Sequence, residues 1–326
     1  MGGAEITEFG KTADGRTVQA IALRSGQVTA RLLTRGAVLQ GLWLQGVPYS
    51  LTLGSDRLAD YEGEMIYHGA LVAPVANRIS GARAWLDGRE LAFERNHAGR
   101  MTLHSGSAGT QGKIWGLAEA GRASAVLALD LPDGEGGFPG NRHVEAAFEV
   151  TGNALRLTIS ATTDRPTFFN ATNHSYWNLD GGADWAGHRL RVQASERLPT
   201  DAQDCVTGAL EAVAGTAYDF RAAATPAPGT PPIDHCFVLS RTRRSLTPAM
   251  WLTGRSGVTM EVATTEPGLQ LYDGRGARRP GRAAYEGIAV EAQGWPDAPN
   301  RAGFPSIELR PGETMRQVTE WRFSRV

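Results

Sequence analysis

The twelve residues Asn170 to Gly181 read NATNHSYWNLDG, with a polar or aromatic side chain at nearly every position. In an extended strand Thr172, His174 and Tyr176 share one face, and Asn173, Ser175 and Trp177 share the other. Neither face is apolar, as one face of a buried strand should be. Histidine, tyrosine, asparagine and tryptophan together suit a sugar, whose hydroxyls take hydrogen bonds while its C–H face rests on an aromatic plane. A sheet end with satisfied polar side chains would read similarly, but the density of such groups favours a ligand.

A second cluster lies in Gly287 to Asn300, GIAVEAQGWPDAPN. Ile288, Val290 and Ala292 alternate with Glu291 and Gln293, so the carboxylate and the amide leave the apolar face together. Partial burial of Glu291 would raise its pKa and make it a better base near neutral pH while it stays ionised. The ordinary alternative is an exposed strand glutamate. Leu269 and Leu271 against Gln270 and Tyr272 show the same split. Arg78 after Asn77, His104 after Leu103, and Asp234-His235 complete a scattered polar set.

Other chemistries lack their motifs. Gly274-Arg-Gly276 is an incomplete dinucleotide fingerprint outside any βαβ pattern. Gly106-Ser107-Ala108-Gly109 lacks the residue between Gly and Ser that a nucleophile elbow needs. No HExxH, Walker or calcium-loop spacing occurs, so the expectation is no organic cofactor and no metal. Cys205 and Cys236 stand alone, which suits buried thiols in a reducing compartment. Basic and acidic residues number 33 and 34, a balance that gives no field to hold nucleic acid or an anionic membrane. No secretory signal is visible at the start, and no run approaches the ~20 apolar residues that span a bilayer. The chain is expected to be cytoplasmic.

The elements that must carry these groups are strands. Leu155, Leu157, Ile159 and Ala161 alternate with polar residues, and the pattern repeats at Val144/Ala146/Phe148/Val150, Leu127/Leu129/Leu131 and Val258/Met260/Val262. Asp-Gly and related turn signals separate such runs, as at Asp87-Gly88 and Gly152-Asn153. A helix is expected only around Ser55 to Glu64. The Pro-rich stretch Ala222 to Pro232 reads as a surface loop rather than a linker, because strand patterns flank it on both sides. The fold class is therefore mainly β, a large antiparallel sandwich or barrel with few short helices.

The chain also resembles the aldose 1-epimerases (galactose mutarotases) almost end to end. The matching segments are Val75-Ala-Asn-Arg-Ile79, Thr102-Leu-His104, Thr172-Asn-His-Ser-Tyr176, Gly215-Thr216 with Asp219-Phe-Arg221, Asp234-His235, Thr264 to Gln270, and Pro296 to Asn300 leading to Leu309-Arg-Pro-Gly-Glu313. The resemblance implies a single β-supersandwich domain over 1–326 that interconverts sugar anomers. It implies Glu291 as general base and His174 as general acid, with Asn77, Arg78, His104, Tyr176, Asp234 and Gln270 binding substrate. The expected partner is a small sugar, with no nucleic acid and no membrane, the chain acting as a monomer or weak homodimer.

Departures from the family pattern fall next to these positions and bear on sugar preference. Ala73-Pro74 replaces Gly-Arg, Ser105 replaces the first Gly of Leu-His-Gly-Gly, Cys236 replaces Asn, Trp177 replaces Phe, and Ala292 replaces Thr. Two other activities compete. A hexose-6-phosphate 1-epimerase would need additional arginines around the sugar's C6. A silent sugar-binding module would have no use for both Glu291 and His174.

Overall fold

The period-two segments form strands. Ser124–Leu131, Arg142–Thr151, Ala154–Thr163 and Val258–Thr264 are all extended in the computed structural model, which describes residues 3–325. They belong to an eight-stranded antiparallel sheet in the order Gly116–Ala120, Ser124–Leu131, Arg142–Thr151, Ala154–Thr163, Met315–Arg325, Val258–Thr264, Thr247–Thr253, Arg189–Val192. Gly152 turns the longest hairpin at φ +60°, a conformation in which a Cβ would be strained.

A six-stranded antiparallel sheet lies against it, in the order Tyr176–Trp177, Ile288–Gln293, Gly268–Tyr272, Asp234–Val238, Glu196–Leu198, Glu211–Ala212. A four-stranded meander of Glu5–Lys11, Thr17–Ser25, Val28–Leu33 and Val38–Leu44 completes the principal sheets. This is a layered antiparallel β architecture, and among the described residues its one α-helix is the single turn Leu58–Tyr61. The helix is shorter than Ser55 to Glu64 because the Ser55 hydroxyl accepts the Arg57 amide and the Tyr61 hydroxyl accepts the Ser55 amide, fixing a turn where helix would start.

Alternation decides which face meets the core. Ile288, Val290 and Ala292 join Leu269 and Leu271 in one large apolar cluster with Leu157, Ile159 and Trp321 of the opposing sheet. The Trp177 ring lies 5.9 Å from Trp321 and 5.8 Å from Phe323. Burying each such side chain contributes about 1.5–3 kcal/mol. Phe220 and Ile233, on either side of the Pro-rich stretch, enter this same cluster, so Ala222 to Pro232 is a loop and not a linker.

Two buried amides tie the layers together under the Glu291 strand. Gln317, from the eight-stranded sheet, donates its amide to the carbonyls of Ala171 and Ala292, at 3.0 and 2.8 Å. Asn170 accepts the Gly294 amide at 2.7 Å and donates to the Gly294 carbonyl at 3.3 Å. Replacing Gln317 by Leu removes donors from buried carbonyls, at ~1–3 kcal/mol for a group left unpaired. Urea unfolding of Q317L should show an unfolding free energy lowered by that amount, as a lower midpoint at an unchanged m-value, and a wild-type midpoint would show that the amide contributes nothing.

Candidate active site

The outward face of the six-stranded sheet floors a cleft of about 520 Å³. In that sheet Gln270 pairs with Glu291 and with Cys236, and one row away Tyr272 pairs with Ala289 and Asp234. Ala289, with almost no side chain, leaves room between Tyr176 and Tyr272. Glu291 is not the half-exposed strand carboxylate that alternation alone describes. It is 2% exposed, because loops bearing His104 and His174 cover the polar face as thoroughly as the core covers the apolar one.

His174 reaches Glu291 because the strand carrying it breaks. Thr172–Asn173 pairs with Leu71–Val72, whereas Tyr176–Trp177 pairs with Ile288 and Ala289. The chain changes partner at His174-Ser175, so the continuous strand expected over this motif is two short ones. Three bonds hold the break. The His174 amide donates to Ala70, the Gly69 amide donates to His174, and the Asn173 side chain donates to Gly69. Gly69 sits at φ +70° with the Leu39 carbonyl where a Cβ would stand, so only glycine fits there. The result places His174 Nε2 at 3.5 Å from Glu291 Oε1. His174 Nδ1 and Glu291 Oε2 have no protein partner.

His104 faces the same pair, with its ring centre 5.4 Å from that of His174. Its Nδ1 accepts the Asn77 amide at 3.1 Å, so in the neutral ring Nε2 carries the proton. His104, His174 and Glu291 lie close enough together to suggest a metal trio. The tautomer argues otherwise: a protonated Nε2 is a hydrogen-bond donor with no lone pair for a cation, which suits a substrate oxygen. Tyr67 packs over both imidazoles, at 4.9 Å from His104 and 5.8 Å from His174.

Burial sets the charges. Desolvation pushes the Glu291 carboxyl well above the usual carboxylate range, helped by Asp234 and opposed by Arg78. It lowers His174 to about 4 and His68 to about 3, and holds His104 well below the ordinary imidazole value. The Asp234 carboxyl is also raised by burial, against the pull of Arg78 and a hydrogen bond from Gln270. Arg78 lies 3.4 Å from Asp234 and 3.9 Å from Asp204. Arg275 is gripped by Asp273 through two bonds of 3.0 and 3.1 Å. Both guanidiniums of the cleft therefore already face carboxylates.

Seven of the eight expected site residues border one cleft: Glu291, His174, Asn77, Arg78, His104, Tyr176 and Asp234. Gln270 does not. It lies beneath the surface and donates to Asp234 at 2.6 Å, so its contact with the cleft runs through that carboxylate. Tyr67, His68, His97, Asp204, Tyr272 and Arg275 also line the cleft and were not singled out for the site. Tyr272 had a signal, since it shares the polar face of its strand with Gln270; Asp204 had none. The departures sit mostly off the surface. Trp177 and Ala292 point into the apolar core, and Ala73 and Pro74 are buried beneath the cleft.

A model of the aldose 1-epimerase family matches residues 19–322. The chain belongs to the aldose 1-epimerase family. A galactose mutarotase from Bos taurus is 32% identical, covering 94% of both chains, and an aldose 1-epimerase from Escherichia coli is 30% identical, covering 95% of this chain and 96% of that one. Among solved structures, a galactose 1-epimerase from Lactobacillus acidophilus superimposes with a TM-score of 0.86 at 26% identity, covering 99% and 98%. An aldose epimerase homologue from C. elegans gives 0.86 at 27%, covering 94% and 99%. This aldose 1-epimerase is thus an isomerase with a galactose mutarotase-like fold.

Three buried, neutral histidines weaken the fold in acid. His68, His104 and His174 have folded pKa values below the unfolded ~6.5, so the unfolded chain binds more protons as pH falls. Their stabilising contribution is complete above pH ~6.5 and is lost as pH drops toward about 4. The raised carboxyls of Glu291 and Asp234 act in the opposite direction, so the histidine share is read by difference. Calorimetry across that window should show H68F losing less Tm than the wild-type chain as pH falls, and equal slopes would contradict the neutral assignment of His68.

Proposed function

We propose that this enzyme interconverts the α and β anomers of free aldoses, with Glu291 as general base at the C1 hydroxyl and His174 as general acid at the ring oxygen. The observation that carries the assignment is the isolated Glu291–His174 pair, 3.5 Å apart and facing the cleft. Mutarotation needs one base and one acid on the two oxygens bonded to the same carbon. Glu291 takes the C1 hydroxyl proton while His174 gives a proton to the ring oxygen, and the C1–O5 bond breaks to an aldehyde. Rotation about C1–C2 exposes the other carbonyl face, and closure reverses both transfers.

The proton count explains why burial is tolerable. A carboxylate with an imidazolium before opening becomes a carboxylic acid with an imidazole after it, so the pair holds one proton throughout. Burial favours the uncharged combination, and Arg78 together with the sugar's hydroxyls favours the charged one. His104 Nε2–H and Arg78 supply donors to oxygens that gain charge as the ring opens. Nothing is oxidised or reduced and no covalent enzyme intermediate is needed.

The substrate is a neutral sugar rather than its phosphate. Glu64, Asp204, Asp234 and Glu291 face a cleft whose guanidiniums, Arg78 and Arg275, are already paired. A phosphate there would meet carboxylates without a free cation. We place the reaction in the cytoplasm, supported by two free buried thiols, and take the whole chain as one catalytic unit acting as a monomer or weak homodimer.

Polarimetry on freshly dissolved single-anomer glucose and galactose tests the roles. E291Q and H174N should each lose about 10²–10⁴-fold in rate, the usual contribution of a positioned acid or base, while keeping the wild-type circular dichroism. Near-normal rates in both folded variants would refute the assignment. In the same assay, glucose 6-phosphate should be turned over at least tenfold less efficiently than glucose; equal or better use of the phosphate would reverse the substrate class.

A further inference from the structure

Three consecutive residues, His104, Ser105 and Gly106, adopt left-handed backbone conformations, with φ of +51°, +61° and +59°. Two of them carry side chains, which disfavour that conformation, so something must hold the turn. Two rungs do. The His104 amide donates to the Asn77 carbonyl at 3.0 Å, and the Asn77 amide donates to His104 Nδ1 at 3.1 Å. One step further, the Val75 amide donates to the Ser105 hydroxyl at 2.8 Å, and that hydroxyl donates to the Val75 carbonyl at 3.0 Å. Ser105 is 1% exposed and does not line the cleft.

We infer that Ser105 is a positioning residue, whose hydroxyl locks the left-handed turn onto Val75 and thereby fixes the tautomer and aim of His104 and the placement of the Asn77-Arg78 pair. The hydroxyl is both donor and acceptor to one residue, so it closes the Val75 backbone without any other partner. With the hydroxyl gone, the amide and carbonyl of Val75 lose a bond in a site closed to water. The next rung, which holds the His104 ring, is then left with only the long bonds from the Gln111 amide to the carbonyls of His104 and Gly106, at 3.4 and 3.5 Å, to help it hold the turn. The sequence departure at this position is thus a substitution with a structural use: a left-handed glycine would need less holding but would offer Val75 nothing.

This inference rests on His104 serving the sugar cleft as proposed above, and the test separates the two. S105G removes the hydroxyl and relieves the strain of a side chain at φ +61°; S105A removes the hydroxyl alone. If Ser105 positions the site, kcat/KM in mutarotation falls at least tenfold in both, although S105G melts at or near the wild-type temperature. The ¹⁵N spectrum of the unliganded protein, with His104 assigned by comparison with H104N, should change from a fixed Nδ1-acceptor, Nε2–H form to an averaged one. Full activity in S105G, whether or not S105A loses activity with its Tm, overturns the inference. So does a loss of activity with an unchanged His104 spectrum. Because that spectrum is read without sugar, activity surviving in E291Q would sink the base assignment and leave this result standing.

Discussion

A carboxyl and an imidazole placed 3.5 Å apart and out of water can share one proton far more cheaply than they can carry two full charges. That constraint organises the cleft. The carboxyl comes from a strand interior, where backbone pairing with Gln270 fixes its position. The imidazole comes from a chain break that two neighbouring strands hold in place. Rigidity on one side and a controlled irregularity on the other bring together groups that are more than a hundred residues apart along the chain.

The rest of the structure supports that meeting point. Below the sheet, Trp177, Trp321 and the Ile288/Val290/Ala292 row fill the core, while Gln317 and Asn170 bond the backbone at the C-terminal end of the Glu291 strand. Above it, the left-handed turn at His104 faces a hydrogen-bond donor toward the pair. Buried polar groups of this kind are costly when unsatisfied and rigid when satisfied. Here Gln317, Asn170 and His104 terminate on backbone carbonyls and amides, so they fix the path of the chain. Four side chains of the cleft, His68, Arg78, His174 and Glu291, each keep a buried atom without a protein partner.

Charge distribution supports the proposed class of substrate. The chain as a whole is nearly neutral, yet the cleft collects carboxylates and neutralises its two guanidiniums locally. Such a surface offers hydroxyl groups many acceptors and a few directed donors, and it offers an anion little. His68 and His104 contribute as neutral rings, because burial suppresses their charge.

By itself the sequence determined the β architecture, since period-two alternation has only one regular realisation, and it marked His174, Glu291, His104 and Asn77-Arg78 as chemistry rather than core. It also assigned the apolar faces correctly, as Leu269/Leu271 and Ile288/Val290/Ala292 show. Alternation records which face a residue takes but not what covers that face. It therefore left Glu291 open between a partly buried and an exposed carboxylate; Gln270 came to the substrate only through the family resemblance, and Trp177 was grouped with sugar-binding residue types although its ring packs in the core. Only the tertiary structure broke the Thr172–Trp177 strand, folded Tyr67 over two imidazoles and brought in Asp204. Those features depend on contacts between distant segments, and no local pattern of residue types encodes where two loops will meet.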